Sequence, residues 1–268
     1  MSALTFTLMA TPQQRIDCSP LTPDRLAGMS PSEIAGIELQ CGKQRFPAGE
    51  LFEIKGKSGS HIVIENREGK LDNIGHGMQG GHITVNGNAG DYAGFAMTGG
   101  ELVVEGSVEA FAAGGMRGGL LHIRGSAGDF LGGAIAGDRQ GMKGGTVIVT
   151  GNAGDRTGDQ MRRGLLLIEG NVGDYCGSRM IAGTIGVLGD VGQYAGYAMR
   201  RGTLLLQKKP LLHATIMDCG LHTLPYLKLM YKSFAGLPTS FVQLQQNRVR
   251  RYAGDIANDG KGEILILQ

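Results

Sequence analysis

The sequence has little of several residue types that define common functional classes. Its 268 residues include no tryptophan, only 8 prolines, and aromatic residues at 6%. The scarcity of proline excludes a collagen-like chain, which combines proline with glycine at every third position. The scarcity of aromatic rings argues against a carbohydrate-binding groove, where such rings stack on sugars. No apolar run approaches the roughly 20 residues of a membrane-spanning helix.

Charge and cysteine spacing exclude further classes. The net charge of +2 is too mild for a nucleic-acid-binding protein. The four cysteines form no CxxC pair and the six histidines form no HExxH pattern, so the usual zinc and thiol-redox motifs are absent. The N-terminus has no basic stretch before its apolar residues, which predicts a cytoplasmic protein without a signal peptide. We expect no catalytic, cofactor-binding or metal-ligating residue in this chain.

Glycine is the residue in excess, and it recurs at fixed positions. The chain contains 47 glycines, against an average usage of roughly 7%. One glycine recurs every 19 residues, apart from one longer step with a seven-residue insertion at 134–140: Gly81, Gly100, Gly119, Gly145, Gly164, Gly183 and Gly202. A methionine lies three residues before each of them, beginning with Met78 and continuing with Met97, Met116, Met142, Met161, Met180 and Met199.

Apolar residues alternate after each recurring glycine. Ile83 and Val85, two and four positions after Gly81, set a pattern that every later copy keeps. This alternation is typical of a β-strand with one buried face. Because a 19-residue unit with one strand cannot bury a core alone, stacked copies are required. The sequence therefore predicts an all-β fold, a right-handed parallel β-helix, as a single-stranded β-solenoid of about seven to eight such coils with N- and C-terminal caps.

The end of the glycine rhythm predicts the segment boundaries. We expect an N-terminal cap at 1–55, the glycine-repeat β-helix at 56–207, and a C-terminal cap with one helix and strands at 208–268. Outward strand positions such as Leu167 and Leu205 are apolar, which predicts that they are covered by a cap or by a partner protein. An aspartate column at the glycine-rich corners is expected to hydrogen-bond its own turn backbone; its members are Asp72, Asp91, Asp129, Asp155 and Asp174.

Cations follow the methionine column and predict a basic ridge. In stacked units, residues at equal offsets lie about 5 Å apart. The cations placed in this way are Arg117, Lys143, Arg162, Arg163, Arg200 and Arg201. Two interpretations remain open: a solvated ridge paired with neighbouring aspartates, or a docking edge for an acidic partner surface, whose carboxylates guanidinium groups bind in bidentate fashion.

Three features together carry a family resemblance. GxxGxxxG units such as Gly151, Gly154 and Gly158, the Met-x-[Gly/Arg]-Gly junctions, and the insertion GGAIAGDRQGMKGG at 132–145 resemble the C subunit of formylmethanofuran dehydrogenase. A similar glycine-repeat domain closes the large subunit of glutamate synthase. The opening MSALTFTL and the closing GDIANDGKGEILIL most resemble the bacterial branch, the C subunit of the formyltransferase/hydrolase complex of methylotrophs.

The resemblance implies a subunit of one-carbon metabolism whose partners do the chemistry. In the bacterial complex, a formyltransferase subunit, an amidohydrolase-like hydrolase subunit and a further subunit would pass a formyl group from formyl-tetrahydromethanopterin, through a methanofuran-type carrier, to formate. In the archaeal branch, a tungsten or molybdenum pterin would lie in partner subunits. The polyglutamate tail of a methanofuran-type carrier is then a second candidate ligand for the basic ridge.

Several functions remain open at this point. The first is a non-catalytic scaffold subunit of the formyl-transfer complex. The second is the C subunit of the archaeal tungsten or molybdenum formylmethanofuran dehydrogenase. A stand-alone β-helix enzyme acting on a carbohydrate and a glutamate-synthase-type module working with amidotransferase partners are the remaining alternatives. Whether the chain belongs to an enzyme complex rests on the resemblance, because no active site emerges from its own residues.

Overall fold

Short β-strands make up most of the regular structure. The computed structural model of the chain describes residues 3–57, 59–66, 70–258 and 260–268. Its strands in chain order are β1 (Leu4–Leu8), β2 (Ile16–Asp17), β3 (Glu38–Cys41), β4 (Gln44–Pro47), β5 (Phe52–Lys55), β6 (His61–Glu65), β7 (Leu71–Asp72), β8 (His82–Asn86), β9 (Glu101–Val104), β10 (Leu120–Ile123), β11 (Lys143–Val149), β12 (Arg163–Ile168), β13 (Thr184–Val187), β14 (Thr203–Leu206), β15 (Met217–Thr223), β16 (Arg248–Ala253) and β17 (Glu263–Leu267).

The helices are short and lie toward the two ends of the chain. They are α1 (Pro23–Leu26), α2 (Pro31–Ala35), α3 (Ala48–Leu51) and α4 (Leu227–Ser233), with 3₁₀ turns at Ser240–Gln243 and Ile256–Asn258. At the start of α2, Ser30 accepts a hydrogen bond from the backbone of Glu33, and the Glu33 carboxylate accepts one from the Ser30 backbone. This reciprocal capping explains why a five-residue helix begins there.

The centre of the main sheet is a run of parallel strands in chain order. From β6 through β8 to β14, each strand is hydrogen-bonded to the next. Ile83 pairs with Leu102, 19 residues further on, whereas Leu121 pairs with Val147 because the insertion lies between β10 and β11. Ile83 and Val85 are fully buried, as the alternation predicted. We call each stretch from one of these strands to the next a glycine-rich segment.

The predicted fold class is wrong: the chain does not form an all-β right-handed parallel β-helix with separate terminal caps. The strands form one mostly parallel 13-stranded sheet, in the order β15-β16-β17-β14-β13-β12-β11-β10-β9-β8-β6-β1-β5, and a four-stranded sheet, in the order β4-β3-β2-β7. Outside the strands, isolated parallel bridges such as Ala153↔Val172 and further backbone hydrogen bonds such as that from Gly94 N–H to the Ile74 carbonyl join neighbouring glycine-rich segments.

The physical reason for the difference lies at the sheet ends. An outer strand presents unpaired backbone groups, which the non-periodic parts of the chain satisfy. β1 pairs in parallel with β6 and antiparallel with β5. At the other end β17 pairs in parallel with β14, and β16 and β15 follow antiparallel. Strands from the predicted segments 1–55 and 208–268 therefore continue the central sheet. Residues 1–2, 58, 67–69 and 259 of the predicted segments lie outside the described residues.

Each recurring methionine from Met78 to Met180 packs against the recurring glycine of the next segment. The six methionines from Met97 to Met199 are completely buried. A Cβ atom added to Gly164 would lie 2.8 Å from Met142 Cε, and Gly164 has a φ of +107°. Glycine is selected there because the site needs both space and a left-handed backbone. The same contact joins Met161 to Gly183, where the added Cβ would lie 2.9 Å from the methyl group.

The aspartate column links neighbouring segments rather than its own turns. The backbone N–H of Asp174 donates to Asp155 Oδ1, and that of Asp155 donates to Asp129 Oδ1, both at 2.8 Å. A second ladder uses asparagine, since the Asn171 backbone donates to Asn152 Oδ1 at 2.8 Å. These side chains satisfy backbone donors at corners that have no strand partner.

The C-terminal part of the chain covers the outer face of the last parallel strands. Leu167 and Leu205 are buried in a cluster with Leu227, Phe234 and Phe241. The Phe241 ring lies against Gly186, where an added Cβ would be 2.6 Å from Phe241 Cε1. The predicted apolar outer stripe is therefore covered here by residues of the same chain.

We predict that replacing Met161 by aspartate prevents folding or strongly lowers the unfolding temperature. The change places an unpaired carboxylate in the buried methionine column, which costs several kcal/mol. The control is Met161→Leu, which keeps the volume and should cost less than about 1.5 kcal/mol. Thermal unfolding followed by circular dichroism measures both. Equal melting of the aspartate variant and the unsubstituted protein would contradict the packing described above.

Candidate interaction surface

The described residues contain no group of three or more histidine, cysteine, aspartate and glutamate side chains that could hold a metal ion. The four cysteines are free, and burial raises the pKa of the Cys176 thiol to about 12. His122, which its strand position places on the outward face, is in fact buried, with 6% of its surface exposed. None of the helices in the described ranges is long and apolar enough to cross a membrane.

The cations that follow the methionine column occupy equivalent backbone positions in successive segments. The backbone N–H of Arg117 donates to the Met97 carbonyl at 2.8 Å, and that of Arg162 donates to the Met142 carbonyl at the same distance. Arg200 makes the corresponding bond to Met180, also at 2.8 Å. Because the methionine side chains point inward, the residues that follow them face outward. We call the row Arg117, Lys143, Arg162, Arg163, Arg200 and Arg201 the basic ridge.

The arginines of the basic ridge are exposed, and none of them forms an ion pair within the part of the chain that the structure describes. Lys143 differs: it is half-buried, pairs with Arg163 in the sheet, and places its Nζ 3.9 Å from Asp138. Asp138 belongs to the predicted insertion, whose residues 136–139 are exposed. Lys261, two residues before the Glu263 that pairs with Thr203, is exposed and extends the row beyond Arg201.

A column of stacked planar side chains lies a few residues before the ridge in each segment, and sequence reasoning missed it. Its members directly follow the aspartate column or its equivalents, and all have φ between 57° and 62°: Tyr92, Phe111, Phe130, Arg156, Tyr175 and Tyr194. Phe111 and Phe130 stack at 4.7 Å between ring centroids, and Tyr175 and Tyr194 at 4.9 Å. The recurrent residue after the aspartate was the available signal.

A buried aspartate, Asp159, forms an ion pair with the half-exposed Arg179. The Asp159 side chain is 1% exposed and accepts hydrogen bonds from the Ser178 hydroxyl at 2.6 Å and from Arg179 Nε at 2.9 Å. A second bond joins Arg179 Nη2 to the other carboxylate oxygen. These bonds raise the pKa of the Arg179 guanidinium. The charge of Arg179, unlike those of the ridge arginines, is therefore neutralised within the chain.

The fold and this surface define a chain whose most prominent charged feature is a row of cations rather than a set of reacting groups. No protein-family model matches the sequence. One chain of the X-ray crystal structure of the formyltransferase/hydrolase complex from Methylorubrum extorquens, in complex with methylofuran, superimposes with a TM-score of 0.91. The two chains are 37% identical, and the match covers 98% of this chain and 99% of that chain.

Curated relatives of the same kind are similar in sequence over shorter segments of the chain. The C subunit of the tungsten-containing formylmethanofuran dehydrogenase 2 of Methanococcus maripaludis is 33% identical over 96 residues, which is 35% of each chain. The C subunit of the formyltransferase/hydrolase complex of Methylorubrum extorquens is 37% identical over 77 residues, 29% of each chain. The matches thus span about a third of the length of these relatives. With the full-length structural match, they show that the chain belongs to the family of C subunits of formyltransferase/hydrolase complexes and formylmethanofuran dehydrogenases.

We predict that Arg179→Ala destabilises the protein by about 1–3 kcal/mol, because the buried Asp159 carboxylate loses the charged hydrogen bonds of a half-exposed arginine. Adding Asp159→Asn to that variant should restore most of the loss. The matched control is Arg162→Ala, which removes an exposed, unpaired arginine and should change the free energy of unfolding by less than about 0.5 kcal/mol. Urea titration of the four proteins tests this. Equal losses from Arg179→Ala and Arg162→Ala would show that the Asp159–Arg179 pair has no special role.

Proposed function

We propose that this chain is a non-catalytic scaffold subunit of a formyl-transfer complex that converts formyl-tetrahydromethanopterin to formate through a methanofuran-type carrier. The full-length likeness to one chain of the formyltransferase/hydrolase complex carries the proposal. In this proposal a formyltransferase subunit, an amidohydrolase-like subunit and a further subunit provide the reacting groups and bind the carrier and the pterin substrate. The chain contributes a rigid sheet with defined outer surfaces.

The second candidate is the corresponding subunit of a formylmethanofuran dehydrogenase. Several curated relatives carry the name of the tungsten enzyme, and one from Methanosarcina barkeri, 38% identical over 81 residues, carries that of the molybdenum enzyme. In this case the tungsten or molybdenum pterin belongs to partner subunits. The two candidates share the role of this chain and differ in the companions that bind it.

The basic ridge is the surface that we assign to partner contact. Exposed arginines without carboxylate partners in the described chain retain their full capacity for bidentate hydrogen bonds. Their repulsion along the row is relieved when a surface of opposite charge covers it. An acidic surface of a companion subunit and the carboxylate-rich tail of the carrier both meet this requirement.

Co-purification of the tagged chain from its native host distinguishes the two candidates. We expect formyltransferase and hydrolase chains to be retained and to be identified by mass spectrometry. Retention of a pterin-containing dehydrogenase chain, with tungsten or molybdenum in the eluate, would favour the second candidate. Recovery of the tagged chain without either set of companions would exclude both.

We predict that charge reversal of the ridge weakens the assembly without unfolding the chain. The variant combines Arg117→Glu, Arg162→Glu and Arg200→Glu, all at exposed positions without ion pairs in the described structure. Companion chains should be lost at low salt, and the unsubstituted complex should weaken as salt rises, because exposed charges are screened.

The control for this experiment reverses three exposed cations elsewhere, at Lys43, Lys232 and Arg248. It changes the net charge by the same amount but leaves the ridge intact. Retention of companions by the ridge variant, or equal loss in the control, would mean that the ridge has no specific part in assembly.

A further inference from the structure

A cavity of about 420 Å³ opens along the stacked column, and no function discussed so far uses it. Its lining consists of Arg156, Tyr175, Ser178, Arg179, Tyr194 and Tyr197. Tyr194 and Tyr197 are among the few large side chains that remain substantially exposed, at 41% and 48%. Residues from three successive segments thus build one concave, aromatic-walled site.

The walls of the cavity are held in defined positions. Tyr175 and Tyr194 stack at an interplanar angle of 15°. The Tyr197 ring stands nearly perpendicular to both, with centroid distances of 6.0 Å to Tyr175 and 6.5 Å to Tyr194. Mutual packing of this kind restricts the rings, so little side-chain entropy remains to be lost when a ligand enters.

Arg156 supplies an unpaired cation to this site. Its guanidinium lies 4.7 Å from the Tyr175 ring centroid and 5.9 Å from that of Phe130. Stacking uses the faces of the planar group and leaves its N–H edges free for hydrogen bonds in the plane. Within the described chain, Arg156 forms no ion pair and no side-chain hydrogen bond. The edge is therefore available for a carboxylate.

The other polar groups of the lining are also donors. Arg179 retains Nη1 after Nε and Nη2 have bonded to Asp159. The hydroxyls of Tyr175, Tyr194 and Tyr197 make no hydrogen bond within the described residues. The Ser178 hydroxyl already donates to Asp159. A site rich in donors, with one unneutralised guanidinium and aromatic walls, matches an acidic side chain with an apolar stem.

The position of the cavity indicates where such a side chain would come from. Arg179 directly precedes Met180, so it lies on the ridge side of the stacked column, next to the row that holds Arg162 and Arg200. The aspartate column, with Asp155 and Asp174, precedes the stacked column along the chain, whereas the ridge follows it, and the aspartate carboxylates repel an anion. An acidic ligand can therefore continue from the cavity onto the ridge but not across the stack.

We propose that this cavity anchors one carboxylate side chain of an acidic segment of a companion polypeptide, whose other carboxylates lie along the basic ridge. The inference rests on the proposed function, in which the chain works through companions. It adds the anchoring site and the chemical class of the segment. Arg156 binds the carboxylate in bidentate fashion, and the three tyrosine hydroxyls surround it.

The test measures binding of a fluorescein-labelled peptide of alternating glutamate and glycine to the purified full chain, by fluorescence anisotropy at low salt. Arg156→Ala should weaken binding about ten-fold, as expected for the loss of a charged hydrogen-bonding pair. Arg156→Lys keeps the charge but loses the planar fork, so it should weaken binding as well. Alanine can adopt the left-handed backbone that this position needs, because Ala96 and Ala113 have φ values of 54° and 58° at other positions of these corners.

Two controls separate the cavity from general charge. Arg248→Ala removes one exposed arginine in β16 and should bind like the unsubstituted protein. A peptide with glutamine in place of glutamate should not bind. Thermal unfolding of each variant checks that the fold is retained. Unchanged binding by folded Arg156→Ala, full retention by Arg156→Lys, or equal weakening by Arg248→Ala would each overturn the anchoring site. None of these results affects the co-purification experiment, so the two proposals fail independently.

Discussion

The contact between a methionine of one glycine-rich segment and a glycine of the next is the constraint on which the rest of the structure depends. Where Met142 meets Gly164, the thioether methyl occupies the volume that a Cβ would fill, and the glycine backbone adopts a left-handed φ. Each contact fixes the distance and register between two neighbouring segments. Because methionine is long and unbranched, it fills the corner of the core without demanding a single shape from its surroundings. The strands, the side-chain ladders and the outer rows all inherit this register.

The outer surface is a consequence of that interior order. Once each methionine points inward, the residues after it must line up outside, and in this chain most of them are cations. The aspartate column takes a different role, since its carboxylates bond to backbone donors of the next segment. The stacked column between them separates an acidic strip from a basic one. A protein built in this way presents several chemically distinct strips side by side, which suits contact with more than one companion chain.

Periodic features were predictable from the sequence, and features that break the period were not. The recurring glycines and apolar pairs located β8 to β14, because a buried strand face leaves a two-residue signature. The pairing of β1 with β6 and of β17 with β14 has no such signature in the sequence. It depends on which strand edges remain free once the central strands have paired. The ridge residues were chosen from equal offsets and stay a prediction as a binding surface, whereas the contact of Lys143 with Asp138 depends on the insertion. The cavity was not predicted, because an arginine at 156 and a tyrosine at 175 do not form a recognisable sequence pattern. Both side chains nevertheless contribute planar groups to the same stack.

The pairing of β17 with β14 also governs how the molecule is completed during synthesis. β14 ends at Leu206, and its hydrogen-bonding partner begins at Glu263. The ribosome must therefore add more than fifty residues, including α4, β15 and β16, before the exposed edge of the central sheet is paired. Throughout that interval the nascent chain carries an open parallel edge with apolar residues, the kind of surface on which strands of other chains add. Pairing of β17 with β14 therefore ends the interval in which strands of other chains can add to this edge.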